Sequence, residues 1–448
     1  MGEHGRQPLT RRQLLATTGM AIVAGCIDDE ETAPVSDDYD HPVAGADPDW
    51  EPASGSPLAA DVQAETLVEN LEIPWDIAFT PNGNLFLTER TGTVLRFDSG
   101  DLTEITRPAD AIDAGAVEPG NDDRPWWVEG GEGGTLGIAT HPEFPDERYV
   151  YVYYTADGDD PQNRVVRYDV ESSEPGTTEE VIVDDIPANL DPGVHNGGRI
   201  AFGPDDNLWL CTGDAHEPER ARDLDSLAGK VLRVAPDGRP LESNPDLDGD
   251  PRIFTFGHRN PQGIGWLPDG VPVVSEHGPN TRDELQVLRP GEDYGWDDAR
   301  GGPADEEWGS YTDHPEVVPP VVSTEMTWAP TGLTFYTGDG VPDWHNRFIV
   351  AGLISQSLFV VTLASPGVEL PPTAANGAQR YDAEWLDDAY TATAHRVLRD
   401  ELGRVRCVTQ GPDGRLYAIT SNRDGRASDP FPRERDDVLV RLTAERDQ

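Results

Sequence analysis

Several short motifs gather residue types that do chemistry. His195-Asn196-Gly197-Gly198-Arg199 precedes a strand-like run, and the next such run ends in Gly213-Asp214. A carboxylate on one imidazole nitrogen fixes the tautomer and raises basicity at the other, so this pair has the makings of a base. Taken alone, His195 reads equally as the cap of a turn. Gly257 to Gly263 reads GHRNPQG and sets Arg259 beside Asn260. Arginine engages carboxylates in planar, bidentate fashion. A second cationic pair, Arg404-Val405-Arg406, sits before a Pro-Asp-Gly turn. Alternation along a strand puts both guanidinium groups on one face, as an anion clamp or as a salt-bridged surface pair. Between these lie EHGPN (Glu276 to Asn280), Asp283-Glu284 and Tyr294-Gly295-Trp296, a Gly-Pro turn and an acidic turn in one hairpin-like span. Asn244 to Asp250 (NPDLDGD) lacks the full EF-hand pattern and reads as a surface turn.

The elements that must position these residues are strands. From Ala64 onward, short β-branched and aromatic runs alternate with turn signals, as in Asn84 to Thr88, Tyr149 to Thr155, Asn207 to Leu210, Phe348 to Val350 and Leu416 to Ile419. No long stretch has a helical period. Pro81-Asn82-Gly83, Pro204-Asp205-Asp206, Pro268-Asp269-Gly270 and Pro412-Asp413-Gly414 each precede a strand. Asn or Asp followed by Gly supplies the positive φ of a tight hairpin. Irregular repeats of four-stranded units read as a β-propeller of about six blades. Seven blades or a large sandwich fit the spacing as well.

HNGGR, GHRNPQG and EHGPN, in this order and setting, resemble the soluble quinoprotein glucose dehydrogenases and their aldose dehydrogenase relatives, over Ala64 to Arg441. The resemblance implies an all-β fold, a six-bladed β-propeller of four-stranded antiparallel blades that holds pyrroloquinoline quinone (PQQ) and Ca2+. It makes His195 the general base for the anomeric hydroxyl and Asp214 the group that holds and polarises it. It assigns Arg259, Asn260, Arg404 and Arg406 to PQQ, and Thr331, in Trp328-Ala329-Pro330-Thr331-Gly332, to the cofactor region. The carbonyls of Gly278 and Pro279 would ligate the calcium beneath the quinone, where Gly permits close approach and Pro has no competing N–H. The side chain of Glu284 and the carbonyl of Tyr294 would hold a second, structural calcium; the plain reading of Glu284 is one more solvated carboxylate. Two positions depart from the family. Glu132, in Gly131-Glu132-Gly133-Gly134, stands where a glutamine is expected in the PQQ region, and Gly352 to Gln356 lacks a cofactor-binding lysine near Ile354. The expected reaction is oxidation of an aldose at C1 to the lactone, with electrons passed to an external acceptor. The alternatives are a glycan- or protein-binding propeller without redox chemistry, and a calcium-dependent lactonase-type hydrolase. Sugar choice would rest on loops such as Asn121 to Trp127, His216 to Arg222 and Trp308 to Tyr311, which carry no readable code; Trp126-Trp127 would stack on a pyranose or simply pack.

Composition bounds the partners. The chain has 448 residues with 34 Lys+Arg against 84 Asp+Glu, a net charge of −50, and Lys230 is its one lysine. No basic footprint for nucleic acid exists, and an anionic membrane surface would repel it. Acidity this evenly spread, with lysine nearly absent, reads as adaptation to salt, which screens the self-repulsion. Residues 1–26 read as a twin-arginine lipoprotein signal: Thr10-Arg11-Arg12-Gln13-Leu14-Leu15, an apolar run too short to span a bilayer, and a lipobox ending at Cys26. This would place the protein on the outer face of the cytoplasmic membrane, held by lipid only. Residues 27–63 read as an acidic tether and 64–445 as the propeller. Cys211 and Cys407, in strand-like apolar runs, read as two buried thiols, with a bridge between them as the alternative. The oligomeric state is open.

Overall fold

The computed structural model describes residues 47–112, 131–158, 161–190, 193–303, 305–374 and 377–444. The twin-arginine segment, Cys26, the first part of the tether and the Asn121 to Trp127 loop lie outside them. The described residues hold strands and short 3-10 turns and no α-helix.

The first strand, β1 (Val62–Val68), belongs to the last blade. Blade I is β2 (Pro74–Phe79), β3 (Leu85–Glu89), β4 (Val94–Asp98) and β5 (Asp101–Thr106). Blade II is β6 (Thr135–Thr140), β7 (Tyr149–Ala156), β8 (Gln162–Asp169) and β9 (Glu180–Pro187). Blade III is β10 (Ile200–Phe202), β11 (Leu208–Cys211), β12 (Lys230–Val234) and β13 (Ile253–Phe256). Blade IV is β14 (Pro261–Trp266), β15 (Pro272–Glu276), β16 (Glu284–Val287) and β17 (Val322–Ser323). Blade V is β18 (Pro330–Tyr336), β19 (Arg347–Gly352), β20 (Ser357–Ala364), β21 (Ala378–Tyr381) and β22 (Thr391–Val397). Blade VI is β23 (Val405–Gln410), β24 (Leu416–Thr420) and β25 (Leu439–Ala444), with β1 paired to β25. Every pairing between these strands is antiparallel, so the fold is the expected six-bladed propeller. Blade V departs from the four-stranded plan. The chain doubles back before β22, so β21 pairs outside it as a fifth strand.

The four expected hairpin turns each join the innermost strand of a blade to the next one out. Gly83, Gly270 and Gly414 take φ of 94°, 92° and 73°, and Asp206 takes the same left-handed position at 58° in blade III. Blades II and V bridge the same gap with longer segments, which is why the repeat shows in only four places.

Each junction between blades has its own apolar cluster, built where flat faces stack. Phe86 and Val94 meet Val150 and Val152 between blades I and II, and Trp209 and Cys211 meet Ile264 and Val274 between III and IV. Ile77 and Leu87 meet Cys407 and Ile419 where blade VI returns to blade I. Cys211 and Cys407 are therefore buried free thiols, as expected.

The tether boundary needs correction. Residues 47–61 lie on the propeller: Asp47 N donates to Pro268 O at 2.8 Å, Asn346 Nδ2 to Glu51 O at 2.9 Å, and Trp344 Nε1 to Pro57 O at 3.1 Å. Trp50 also packs edge-on against Phe335. Proline-rich composition resembles a linker, but this segment exchanges hydrogen bonds with the propeller, one of them from the buried Trp344 indole. The propeller's own strands begin at Val62 instead of Ala64.

Lys230 shows what a lone lysine is kept for. It is buried on β12, and its ammonium donates to the carbonyls of Arg220 at 2.8 Å, Ala221 at 3.0 Å and Ala228 at 2.7 Å. A tetrahedral ammonium matches three converging carbonyls where a planar guanidinium would not. The bonds pin the loop between β11 and β12. Lys230→Met should cost about 3 kcal/mol by orphaning three acceptors, measured by urea unfolding at fixed high salt; a loss under about 1 kcal/mol would refute this role.

Candidate active site

Antiparallel pairing puts the start of each innermost strand and the end of its neighbour on one face of the ring. Residues just before β6, β10, β14, β18 and β23, and just after β11, β15, β19 and β24, therefore converge. They line a cavity of about 260 Å³ that includes Glu132, His195, Arg259, Asn260, Gln262, His277, Gly278, Pro279, Arg404, Arg406 and Arg426. Glu132, His195, Arg259, Asn260, Gly278, Pro279, Arg404 and Arg406, all singled out from sequence, meet here from four blades, whereas Asp214, Thr331, Glu284 and Tyr294 are outside the lining.

His195 Nδ1 lies 2.7 Å from Asp214 Oδ1, which leaves Nε2 as the ring nitrogen for the cavity. Asp214 is fully buried and accepts from Trp296 Nε1 and from His216 N, both at 2.7 Å. Those donors hold the carboxylate so that it can accept from the imidazole. The His195 and Gly213 loops pass so closely that a Cβ on Gly213 would sit 2.0 Å from His195 O, which accounts for glycine before Asp214. Asn260 Oδ1 accepts from Gly197 N at 3.0 Å, tying the GHRNPQG segment to the HNGGR loop. Trp296 was visible in sequence as part of YGW, but nothing there pointed it at Asp214.

The cation cluster is built to receive an anion. Arg259 Nε, Asn260 Nδ2, His277 Nε2 and Arg406 Nε are buried atoms with no hydrogen-bond partner among the described residues. Native interiors rarely leave such groups unsatisfied without a ligand or water to meet them. Burial, offset by Asp424 and worsened by Arg404 and Arg90, pushes the Arg406 pKa down to about 9, as expected of a cation short of counter-charge. Arg404 is held by Asp424 at 2.7 Å, and Arg406 reaches Gln262 Oε1 at 3.0 Å. A flat polycarboxylate such as PQQ fits this donor set.

Gly278 and Pro279 also line the cavity. Asp283 locks their turn: its carboxylate accepts from Gly278 N at 2.8 Å, Trp328 N at 2.5 Å and Ala329 N at 2.8 Å. Among the described residues no backbone N–H donates to the carbonyls of Gly278 or Pro279. Hard oxygen donors in a fixed turn suit calcium.

Two expected roles are not met. Thr331 is set back from the cavity; its hydroxyl donates to Arg406 O at 2.5 Å and so positions the clamp strand rather than a ligand. The second calcium does not fit its residues. Glu284 is buried, and its oxygens accept from Arg300 Nη1 at 3.0 Å, Gln286 Nε2 at 2.8 Å and the Tyr311 hydroxyl at 3.0 Å. Arg300 also reaches Glu276 at 2.9 Å, so a guanidinium already stands between the two carboxylates. The Tyr294 carbonyl accepts from no backbone N–H among the described residues, so the misfit lies at Glu284.

Glu132 sits at the cavity with Arg426 Nη1 on Oε1 at 2.7 Å and His195 N on Oε2 at 3.4 Å. Burial raises its pKa, but Arg426, with smaller help from His277 and His195, overrides this and holds it at about 2. Glu132 is therefore an anion. His277, Asp283, Trp296 and Arg426 are the lining and supporting residues that sequence reasoning missed. His277 and Trp296 lay inside quoted motifs; Arg426 carried no signal.

A family model described as glucose/sorbosone dehydrogenase matches residues 71–429. An aldose sugar dehydrogenase of Escherichia coli is 28% identical over 386 residues, 84% of this chain and 94% of the relative. A glucose dehydrogenase-type putative oxidoreductase of Thermus thermophilus superposes with a TM-score of 0.67 at 35% identity, covering 85% of this chain and 99% of that one. The PQQ-bound aldose sugar dehydrogenase of Streptomyces coelicolor superposes with a TM-score of 0.65 at 30% identity, covering 88% and 100%.

His277 gives the cavity an acid sensitivity. Burial, only partly offset by Asp283 and Glu132, lowers its pKa from 6.5 to about 4. The unfolded chain then takes up the proton first, so stability falls as pH drops through that window. Relative to His277→Gln, the wild type should lose roughly 2 kcal/mol between pH 6.5 and 4, after allowance for solvent screening. Urea unfolding of both at fixed salt checks this; parallel pH profiles would contradict it.

Proposed function

The chain belongs to the glucose/sorbosone dehydrogenase family, and from that premise we propose that it oxidises an aldose at C1 to the lactone with PQQ and calcium. The observation that carries the reading is a His–Asp pair and unpartnered cationic donors facing one cavity. Asp214 accepts from His195 Nδ1–H and fixes the tautomer in which Nε2 is the base. His195 Nε2 takes the proton of the C1 hydroxyl as the C1 hydride leaves. Trp296 and His216 N keep Asp214 from turning away. Arg259, Asn260, Arg404 and Arg406 would hold PQQ, and the carbonyls of Gly278 and Pro279 would hold the calcium beneath it. When bound, these groups supply the two-electron acceptor for the hydride and a Lewis acid that polarises it. An external acceptor then takes the electrons.

The same reading extends to the cell. The twin-arginine motif and lipobox support export and lipid anchoring outside the cytoplasmic membrane, and the acidic surface supports a saline setting. In that case the thermal midpoint should rise steadily from about 0.1 M to about 2 M KCl as the charges are screened; a flat or falling curve would count against salt adaptation.

Dye reduction by the purified chain at high salt tests the chemistry. PQQ and calcium are added singly and together with a panel of aldoses. Sugar-dependent reduction should need both additions, and His195→Ala should lower kcat by about 100-fold or more. A folded chain that neither binds quinone nor turns over any sugar would favour the binding-propeller alternative.

A further inference from the structure

The two departures from the family pattern meet at one place in the fold. Glu132 precedes β6 in blade II, and Arg426 follows β24 in blade VI, yet the two side chains pair at 2.7 Å at the cavity wall. The loop that carries Arg426 is anchored on the segment where the lysine is absent: Ser428 N donates to Gln356 Oε1 at 2.7 Å. Ile354, in the middle of that segment, lines the same cavity. Arg426 N donates to Asp424 Oδ1 at 3.0 Å, and Asp424 Oδ2 accepts from Arg404 at 2.7 Å. One buried carboxylate thus sets the position of a clamp arginine and of Arg426 together.

Charge makes the arrangement purposeful. Glu132 unpaired would place an anion among groups that receive a polycarboxylate, and repulsion in a partly desolvated cavity is costly. Paired, it draws a guanidinium to the wall. The Arg426 guanidinium itself lines the cavity, together with Ile354, Arg404 and Arg406, so the bond to Glu132 fixes a cation where an anion would enter. Resting on the PQQ reading above, we infer that Arg426 is a cofactor-binding cation of this chain. It is held at the cavity by Glu132 and replaces the lysine missing near Ile354. Glu132 then acts as a positioning residue and does not contact the cofactor as an acceptor.

A double-mutant cycle on the purified full chain at high salt tests this. Binding of PQQ is followed by quenching of tryptophan fluorescence, without substrate or dye. Arg426→Ala should raise the Kd about tenfold or more, since a charge-assisted contact is lost and Glu132 is left bare. Adding Glu132→Gln to that variant should recover much of the loss, because the bare anion is then gone. Arg426→Ala leaves the Glu132 carboxylate without its partner, so thermal midpoints are measured alongside and binding is compared where every variant is folded. If Arg426→Ala binds PQQ like the wild type, the inference fails while the dehydrogenase reading stands. If both single variants weaken binding and the double variant recovers nothing, Arg426 only braces its loop and the inference fails. If the wild type itself binds no PQQ, the inference falls together with the reading on which it rests.

Discussion

The pairing of β1 with β25 is the constraint from which the rest follows. Val62 to Val68 supplies the outermost strand of a blade whose other strands are the last in the chain, so the two ends of the propeller are joined by hydrogen bonds. Closure brings β23 against β2 and completes the sixth apolar junction, where Ile77 and Leu87 meet Cys407 and Ile419. It also removes the free edge that an open array of blades would expose. Without it, Arg404, Arg406 and Arg426 on blade VI would not share a cavity with Glu132 and His195 on blades II and III. The strap of residues 47–61 reinforces the same closure by binding blades IV and V before β1 begins.

Inside the closed ring, electrostatics runs against the composition. A chain of net charge −50 keeps a cavity lined by Arg259, Arg404, Arg406 and Arg426. The acids near it are spoken for. Asp424 holds Arg404, Asp283 accepts three backbone N–H groups, Asp214 accepts from Trp296 and His195, and Glu132 accepts from Arg426. Among the described residues, what stays unpartnered is donor capacity on Arg259, Asn260, His277 and Arg406. Away from the cavity the same economy holds. Arg300 stands between Glu276 and Glu284, where a divalent ion had been expected, and Lys230 caps three carbonyls beneath the loop that carries Asp214.

Much of this was legible because some rules are local. A Pro-Asp-Gly turn needs left-handed backbone wherever it occurs, so Gly83, Gly270 and Gly414 announced hairpins without reference to the rest of the chain. His195, Asp214, Arg259, Asn260, Gly278 and Pro279 were visible because their motifs combine residue types that few other purposes require. Glu284 misled because an isolated acid in sequence says nothing about what stands opposite; Arg300, sixteen residues on, decides that. Thr331 misled for the same reason, since its hydroxyl meets a carbonyl of blade VI.

The sequence by itself determined strand-rich texture, the turns, the acidic surface, the kinds of groups at the site and the family. Those depend on composition and on contacts between near neighbours, which are written in order along the chain. The tertiary structure alone decided which groups face one another: Trp296 on Asp214, the Trp328 and Ala329 amides on Asp283, Arg426 on Glu132. Each of these pairs joins separate blades, or separate turns of one blade. Hydrogen bonds and ion pairs act over a few ångströms, and only closure of the ring brings residues far apart in sequence within that range.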